Sequence, residues 1–550
     1  MSTIRPGMEW PPKAIAPVIA RVTEARVQWE GDPTRLEEYY SENSSGSTTP
    51  RRGLRAAWQA FWGRQVSPTQ LAPRRLHAPI PADIARLSAT SLFAKPPTIL
   101  APEHEITDLE AEEGVRRVRD ETIQAKIDAL FNIPRFHSDL YAAGETSSAL
   151  GGVYGRVVRD RSVQDDPWIE WVDPDRAIPD WHRGRLRAVT FFTELDSGKD
   201  SRDVWRHLER YEKGRITHEL YKGTSSNLGV LQPLEAHHAT AGIAVDLADD
   251  GASAVLLEED VLAVEYVPNK TPNPEWSADT YLRNMGASDC GAPDLVPLYH
   301  EIDKTWSSLM QDVELAKTRV FASQDILRHN GPGAGLTFDE DQRIFTRVGT
   351  GIGKDGTAES IFEFHQPDIR VLAHDQVGEM LLREVLRRTG YSPVSFGMSD
   401  EVAQTATEAT GKKESTVTTT EGKARHFGVA LQHLTTVCLQ LAGVSLAEPL
   451  DLDWPPFAQE SDLSRGQTVQ TWSVAKAAST RTMVRYLHQD WDEDQIDAEV
   501  ALILEEKGSA VEAPIFGSDA PPFGGQPAGD EQPEQEAEEA SDGAVPQEAS

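Results

Sequence analysis

The sequence predicts an α+β chain made of more than one module. Three observations carry that reading. Residues alternate with a period of two between Gly155 and Lys222, long stretches of the second half have helical periodicity, and 550 residues, at about 150 per domain, give about three to four modules. A chain of this size buries a substantial core.

Charge and cysteine content narrow the function classes. Lys and Arg total 54 against 88 Asp and Glu, a net charge of -34, so overall charge cannot hold DNA or an anionic membrane. Any nucleic acid the chain meets is expected to be held loosely. Cys290 and Cys438 are the only cysteines. They are far apart, with no second Cys or His at ligand spacing, which argues against a disulfide framework and a Cys-type zinc site and predicts a cytosolic setting. No apolar run approaches the ~20 residues of a membrane span, and Met1 to Trp10 lacks the basic, apolar, small-residue order of a signal peptide. No membrane partner is expected.

Taken in order, the elements begin with an amphipathic segment, Ile15 to Tyr40, and a polar loop, Glu42 to Gly53. Leu54 to Gly63 places Trp58, Phe61 and Trp62 at helical spacing, as a helix anchored to its own core would. A short helix over Ile84 to Lys95 stops at Pro96-Pro97, and a second over Glu121 to Asn132 ends or kinks at Pro134. The alternating stretches from Gly155 to Lys222 are broken by turns such as Asp173-Pro174-Asp175, as in a run of antiparallel strands. Leu256 to Val267 adds another strand.

Leu298, Ile302, Trp306, Leu309, Val313, Ala316 and Val320 form one stripe over Leu295 to Leu327. A helix of ~30 residues there is roughly 45 Å long, more than a globular core requires. It breaks at Gly331 to Gly335. Short strands follow around Asp341-Gln342, then a Gly-rich tip at Gly349 to Gly356 and a strand over Ser360 to His365. Pro367 to Arg388 resumes helical spacing, and after the loop Tyr391 to Gln404 comes a helix-compatible stretch, Thr405 to Leu441. Its first half is nearly all Thr, Lys, Glu, Ala and Gly, so it is expected to face solvent or another subunit, with Gly411, Gly422 and Gly428 permitting a bend. Thr480 to Lys507 reads as two short helices around Gln489 to Asp492. Ser509 to Ser550 has ten acidic residues and no Lys or Arg, a composition that cannot bury enough apolar surface to order itself.

Nothing in the chain argues for catalysis or a cofactor. Gly349 to Lys354 looks like a phosphate-binding loop, but Val348 stands where the first Gly belongs and Asp355 where a Ser or Thr would hold magnesium. His237-His238 reads as a surface pair, since neighbours on a strand point to opposite faces. Glu258-Glu259-Asp260 has no His or Asp at metal spacing and reads as a solvated turn. Glu408 and Glu414 lie on different helix faces, and neither a Gly-x-Ser-x-Gly elbow nor a His-Glu-x-x-His motif occurs. No metal site is expected. The basic residues Lys412, Lys413, Lys423 and Arg425, with Arg383, Arg387 and Arg388, are expected to be solvated helix faces making intersubunit ion pairs, with a DNA-facing role as the alternative.

The order of these elements resembles the portal proteins of tailed bacteriophages. Ala142 to Asp160 (AAGETSSALGGVYGRVVRD) is similar to the portal wing, Glu301 to Ser323 to the first stem helix, and Gln366 to Arg370 to the start of the second. TGYSPVSFG followed by Thr405 to Thr416 is similar to the segment joining stem to wing helix in portals of phages of Gram-positive hosts. The resemblance covers roughly Pro79 to Lys507. It implies a portal-type multidomain ring subunit: arm and α/β wing over 1–294, with strands at about 155–267, stem helix 295–328, β-containing clip 329–365, second stem helix 366–390, channel loop 391–404, long bent wing helix 405–445, wing and helical crown 446–508, and disordered acidic tail 509–550.

In function, the resemblance implies a homo-oligomeric ring, typically of twelve subunits, at the unique capsid vertex of the virion, assembled in the host cytoplasm. Double-stranded DNA would pass through its centre during packaging and ejection. The channel loop would be Tyr391, Ser392, Pro393, Val394, Ser395, Phe396, Gly397, Met398, Ser399, Asp400 and Glu401. Phe338, Asp339, Arg343, Phe345, Lys354 and Phe362 of the clip would dock the large terminase and later the head-to-tail adaptor. Major capsid and scaffolding proteins are the other implied partners. The competing readings are another structural virion protein, such as an adaptor or baseplate component, and a packaging enzyme. An adaptor would be shorter and lack the helix-insert-helix order, and a packaging ATPase needs an intact phosphate loop.

The tail composition generates one prediction. Truncation after Lys507 is expected to leave the oligomer and its melting temperature unchanged, because the removed segment cannot offset its ordering entropy. A fall of several degrees in a melting scan would show that the tail packs on the body.

Overall fold

Helices and antiparallel sheets mix throughout, and the chain divides into two compact units, Met1–Ser461 and Asp462–Ser550. The structure, a computed structural model, describes residues 4–43, 76–106, 116–161, 163–196, 202–243, 246–247, 253–257, 260–315, 319–322, 328–329, 336–337, 362–365, 371–398, 406–444, 446, 448–457, 462–488, 491 and 493–509. The aromatic stretch Leu54 to Gly63, most of the loop Glu42 to Gly53, the Gly-rich tip Gly349 to Gly356 and the acidic tail from residue 510 onward lie outside the described residues.

The amphipathic N-terminal segment folds as two helices, α1 (Ala16–Glu30) and α2 (Pro33–Asn43), because Gly31 turns the chain at a φ of 63°. Then come α3 (Ile80–Phe93), α4 (Glu121–Leu130) and α5 (Pro134–Leu150). Asp120 caps α4 by accepting the Thr122 and Ile123 amides. Pro134 starts α5, and Gly151, at a φ of 90°, ends it. Three short strands, β1 (Thr98–Leu100), β2 (Glu103–Ile106) and β3 (Arg116–Arg119), lie between α3 and α4. β2 pairs with β3, and β1 pairs with a strand from far along the chain, Asp451–Asp453.

The alternating region forms two antiparallel sheets. Strands β4 (Gly152–Val158), β5 (Trp168–Val172) and β13 (Val264–Pro268) make one, in the order β13-β4-β5. The other has seven strands. It runs β11 (Asp246–Leu247), β12 (Ser253–Leu256), β9 (Arg215–Thr224), β8 (Val204–Glu212), β7 (Arg185–Leu195) and β6 (Ala177–His182), with β10 (Asn227–Gln232) also on β9. The single strand expected over Leu256 to Val267 is therefore two strands in different sheets. The chain wraps the Glu212–Gly214 turn between them, where the Gly214 amide donates to the Val261 carbonyl and the Leu257 amide to the Gly214 carbonyl.

The β6–β7 hairpin closes in two residues, with Arg183 at a φ of 51° and Gly184 at 79°. Asn-Gly is the favoured pair for such a turn, and an arginine held left-handed costs about 1 kcal/mol. His237 is also a correction to the surface reading. It is buried, its Nε2 lies 3.0 Å from the Asp196 carbonyl oxygen, and its ring is 5.6 Å from that of Trp205, while His238 stays exposed.

In the second half, α6 (Val296–Leu315) and α7 (Val371–Thr389) flank the strand pairs β14 (Arg319–Ala322) with β17 (Phe362–His365) and β15 (Arg328–His329) with β16 (Leu336–Thr337). The continuous helix expected to Leu327 therefore stops by Leu315, and its 20 residues span about 30 Å. Val320 sits opposite Phe364 in a ladder rather than on a helical stripe. The tetrapeptide Arg-Val-Phe-Ala has the β-branched and aromatic residues that favour a strand once a partner is supplied, and only the folded chain supplies it. The long helix α8 (Ala406–Leu441) is one element of 36 residues that runs through Gly422 and Gly428 without interruption. β18 (Asp451–Asp453) completes the first unit.

The main core joins α1, α3 and α5 to the three-stranded sheet and α8. Phe93 meets Phe427 edge to face at 5.0 Å, and Tyr154 meets Tyr266 at 4.6 Å. Gly155 permits this approach of helix to sheet, because a Cβ there would lie 2.5 Å from Leu434 Cδ1. The second unit holds α9 (Asp462–Ala475), α10 (Thr480–Leu487) and α11 (Glu493–Ser509). The last two are the pair expected from the sequence. The Ser479 side chain caps α10 through the Thr482 amide, and Arg481 pairs with Asp497 at 3.0 Å.

The β8–β9 ladder stacks two imidazoles, with His207 Nε2 3.2 Å from His218 Nδ1 and the rings 13° from parallel. Burial pushes both below the usual histidine value, His218 to about 4. Glu209 opposes that shift, and Arg156 adds to it. Folding lowers these pKa values, so below pH ~6.5 the unfolded chain binds more protons than the folded one. Stability is thus expected to be complete above pH ~6.5 and to decline by on the order of 2 kcal/mol as the pH falls toward about 4. His218→Gln should flatten that decline in melting temperature, and an unchanged slope would assign the acid sensitivity elsewhere.

Candidate functional site

A buried ammonium fixes the region where helix pair, loop and long helix meet. Thr416, Thr420, Lys423, Phe427, Leu431, Leu434 and Cys438 recur at three-to-four spacing along α8, and every one is buried. The polar half of this helix therefore faces its own chain at Thr416, Thr420 and Lys423 rather than solvent or a neighbour. Lys423 is 3% exposed, so it is not part of the solvated basic face expected from the sequence. Its Nζ donates to Ser88 Oγ on α3 at 2.7 Å, to Asp289 Oδ2 at 2.8 Å and to Tyr391 OH at 2.9 Å. All three ammonium hydrogens are used.

Asp289 is the centre on the acidic side. Its Oδ2 also accepts from Ser148 Oγ at 2.7 Å and Asn269 Nδ2 at 3.0 Å, while Lys270 Nζ lies 2.5 Å from Oδ1. Burial pushes this carboxyl up, but the Lys270 and Lys423 ammoniums outweigh it and hold the group well below the usual carboxylate range. Burial lowers the Lys423 ammonium, with Asp289 opposing, and raises the Tyr391 and Cys290 groups, which stay protonated. The network thus joins two ammoniums to one buried carboxylate, with the Ser88, Ser148 and Tyr391 hydroxyls as further partners.

Residues Tyr391 and Ser392, assigned to the channel loop by resemblance, are buried beside this network. The Ser392 amide donates to Thr416 Oγ1 at 2.9 Å, Thr416 Oγ1 donates to Ser395 Oγ at 2.9 Å, and Thr419 Oγ1 donates to the Gly390 carbonyl at 2.7 Å. Pro393, Val394, Ser395 and Phe396 are half-buried in a short turn that ends at exposed Gly397, and Phe396 and Met398 pack on the second core cluster. Ser399, Asp400 and Glu401 lie outside the described residues. So do Phe338, Asp339, Arg343, Phe345 and Lys354 of the expected clip, whereas Phe362 opens strand β17 opposite Ala322.

Above this anchor, α6 and α7 lie against each other. Tyr299 and Ile302 pack with Val385 and Leu386 near the base, and Asp312 Oδ2 lies 3.1 Å from His374 Nε2 farther along. His77 and the Ala78 amide bind Asp303, at 2.9 and 2.8 Å, strapping α6 to the segment before α3. Arg383 pairs with Glu379, Arg387 with Glu384, and Arg388 with both Glu384 and Asp294. These expected surface cations are thus matched within the chain. Beside exposed Glu301, Lys304, Gln311, Asp375 and Gln376, large apolar residues also face outward: Trp306, Met310 and Val313 on α6, and Leu372, Val377 and Met380 on α7, are 39% to 77% exposed. Single exposed apolar residues are ordinary, but here several stand on two adjacent helices.

Among the described residues, no group of three or more His, Cys, Asp or Glu is placed to hold a metal ion, and no helix is long and apolar enough to cross a membrane. Sequence reasoning missed Asp289, Lys270 and the burial of Lys423. The usable signal was Lys423 falling on the same helical stripe as Phe427, Leu431 and Leu434.

Removing one partner of this network leaves a buried charge short of its counterion. Lys423→Met is expected to cost about 3 to 5 kcal/mol in urea unfolding. Adding Asp289→Asn should cost clearly less than the sum of the two single changes. Strict additivity would show that the two side chains do not share an interaction.

No protein-family model matches the chain, and no curated protein matches it. Among solved structures it is similar to a chain from the virion of a native gene transfer agent particle, at 10% identity and a TM-score of 0.37, over 77% of this chain and 94% of that one.

Proposed function

We propose that this chain is the ring-forming portal subunit of a tailed bacteriophage, a non-enzymatic conduit for double-stranded DNA at the capsid vertex. The observation that carries this reading is the antiparallel pairing of β14 with β17, the first strand after α6 and the last before α7, between two helices that pack together. The flanking helices turn Trp306, Met310, Val377 and Met380 outward. A lone chain gains nothing from that exposure, whereas identical neighbours side by side would bury it at about 25 cal/mol per Å². On this reading, terminase and adaptor would dock on the segment between β14 and β17. A charge of -34 per chain, repeated around a ring, repels phosphates and favours passage of DNA over retention.

Negative-stain images of the purified chain should show rings with a central hole. Trp306→Glu with Met380→Glu should leave folded monomers, judged by an unchanged far-ultraviolet spectrum. Compact wild-type particles without a hole would overturn the proposal.

A further inference from the structure

The β6–β7 hairpin concentrates His182, Arg183, Arg185 and Arg187 in a chain whose net charge is -34. Arg183, Gly184 and Arg185 are exposed at its tip. The Arg283 guanidinium, from the short turn Leu282–Asn284, lies 3.9 Å from where a Cβ of Gly184 would stand. Arg185 and Arg283, from two separate elements, therefore line one groove, with Arg183 two residues before Arg185 at the tip. Arg187 is matched by Asp180 at 3.7 Å and Arg185 acts on Glu265 across the groove, while no described carboxylate lies within 4 Å of Arg183 or Arg283. That contrasts with Arg383, Arg387 and Arg388, each matched by carboxylates of its own chain.

Arg185 and Arg283 line a groove of about 670 Å³ together with Glu265, Thr271 and His426. Burial raises the Glu265 pKa, with His433 and Arg185 opposing, and Glu265 is the one carboxyl among the described residues lining the groove. Arg183 also occupies a left-handed turn position that Asn or Gly would fill with less strain. Nothing in the turn itself explains an arginine there.

We propose that this groove receives carboxylate side chains from a second copy of the chain, as one half of a head-to-tail contact. The planar guanidinium suits bidentate carboxylate pairing, and a chain with 88 acidic against 54 basic residues presents its neighbour with an acidic surface. A long polyanion such as DNA meets the repulsion of the whole molecule, whereas a second copy offers its carboxylates singly, at a contact other forces also hold. The inference rests on the ring reading, because a contact between two different patches closes only in a ring.

The test compares the full-length wild type with Arg183→Glu/Arg185→Glu/Arg283→Glu by sedimentation velocity at about 0.1 M salt, where such pairs act over about 10 Å. Melting scans run alongside. The expected result is an association weakened at least about tenfold, with an unchanged melting temperature. Should the triple variant melt early, Arg185→Gln/Arg283→Gln supplies the same comparison without new charge. Normal assembly by a folded variant overturns the inference and leaves the ring reading intact. A wild type that never assembles overturns both. A short labelled DNA duplex that binds the wild type and not the variant, with assembly equal in both, would assign the groove to phosphates instead.

Discussion

The fold turns on one demand, that the Lys423 ammonium find three acceptors in a dry interior. An unpaired buried charge costs several kcal/mol, so the acceptors must be in place whenever the chain is folded. They come from three places far apart in sequence: Ser88 on α3, Asp289 in the segment that follows the three-stranded sheet, and Tyr391 after α7. Meeting that demand fixes the rotation of α8 about its axis and the point where α7 ends. Lys270 then matters as a second cation, since Asp289 serves Lys423, Ser148 and Asn269 on one oxygen and faces Lys270 with the other. Hydrophobic burial alone would tolerate small rotations of α8 that this network does not.

Anchoring at one end has a consequence for the helix pair. Near the network, Tyr299, Ile302, Val385 and Leu386 are all buried, whereas Met310, Val313, Leu372 and Val377, toward the strand pair, are exposed. The pair is thus held firmly at its base and progressively less covered toward β14 and β17. A single chain has no reason to place methionine and tryptophan there, and the polar partners it does supply, such as Asp312 with His374, hold the two helices to each other without covering their outer faces. On the ring proposal, neighbours would cover the apolar faces that one chain leaves bare.

Local pattern made much of this legible. Alternation located β4 to β9 because each sheet has a buried face that imposes a period of two. Pro134 and the two-helix pattern near Gln489 marked real helix boundaries. What failed was non-local. Val320 fits a helical stripe by spacing, yet its ladder partner Phe364 is supplied by β17. Leu256 to Val267 reads as one strand until Gly214 draws the chain around its turn. Lys423 looked solvent-facing because residue type was weighed above position, although its stripe continues directly into Phe427 and Leu431. Asp289 has no local signal at all: nothing around Ser288-Asp289-Cys290 foretells two lysines arriving from Lys270 and Lys423.

Charge sets the terms on which copies of this chain can meet. At -34 per chain, each added copy raises the mutual repulsion, and salt screens that repulsion over about 10 Å at 0.1 M. Attraction between a few arginines and facing carboxylates is screened too, but less once the groove is closed to water, because paired charges in a desolvated contact feel little bulk salt. Apolar contact along Trp306 and Met310 is indifferent to moderate salt. On the ring proposal, assembly would be driven by the apolar faces and oriented by the charged ones. An apolar stripe can slide, whereas guanidiniums facing a matching set of carboxylates fit in one register. That division would assign affinity to the helix pair and angle to the hairpin, and the angle between neighbours would decide whether a chain of contacts closes or runs on.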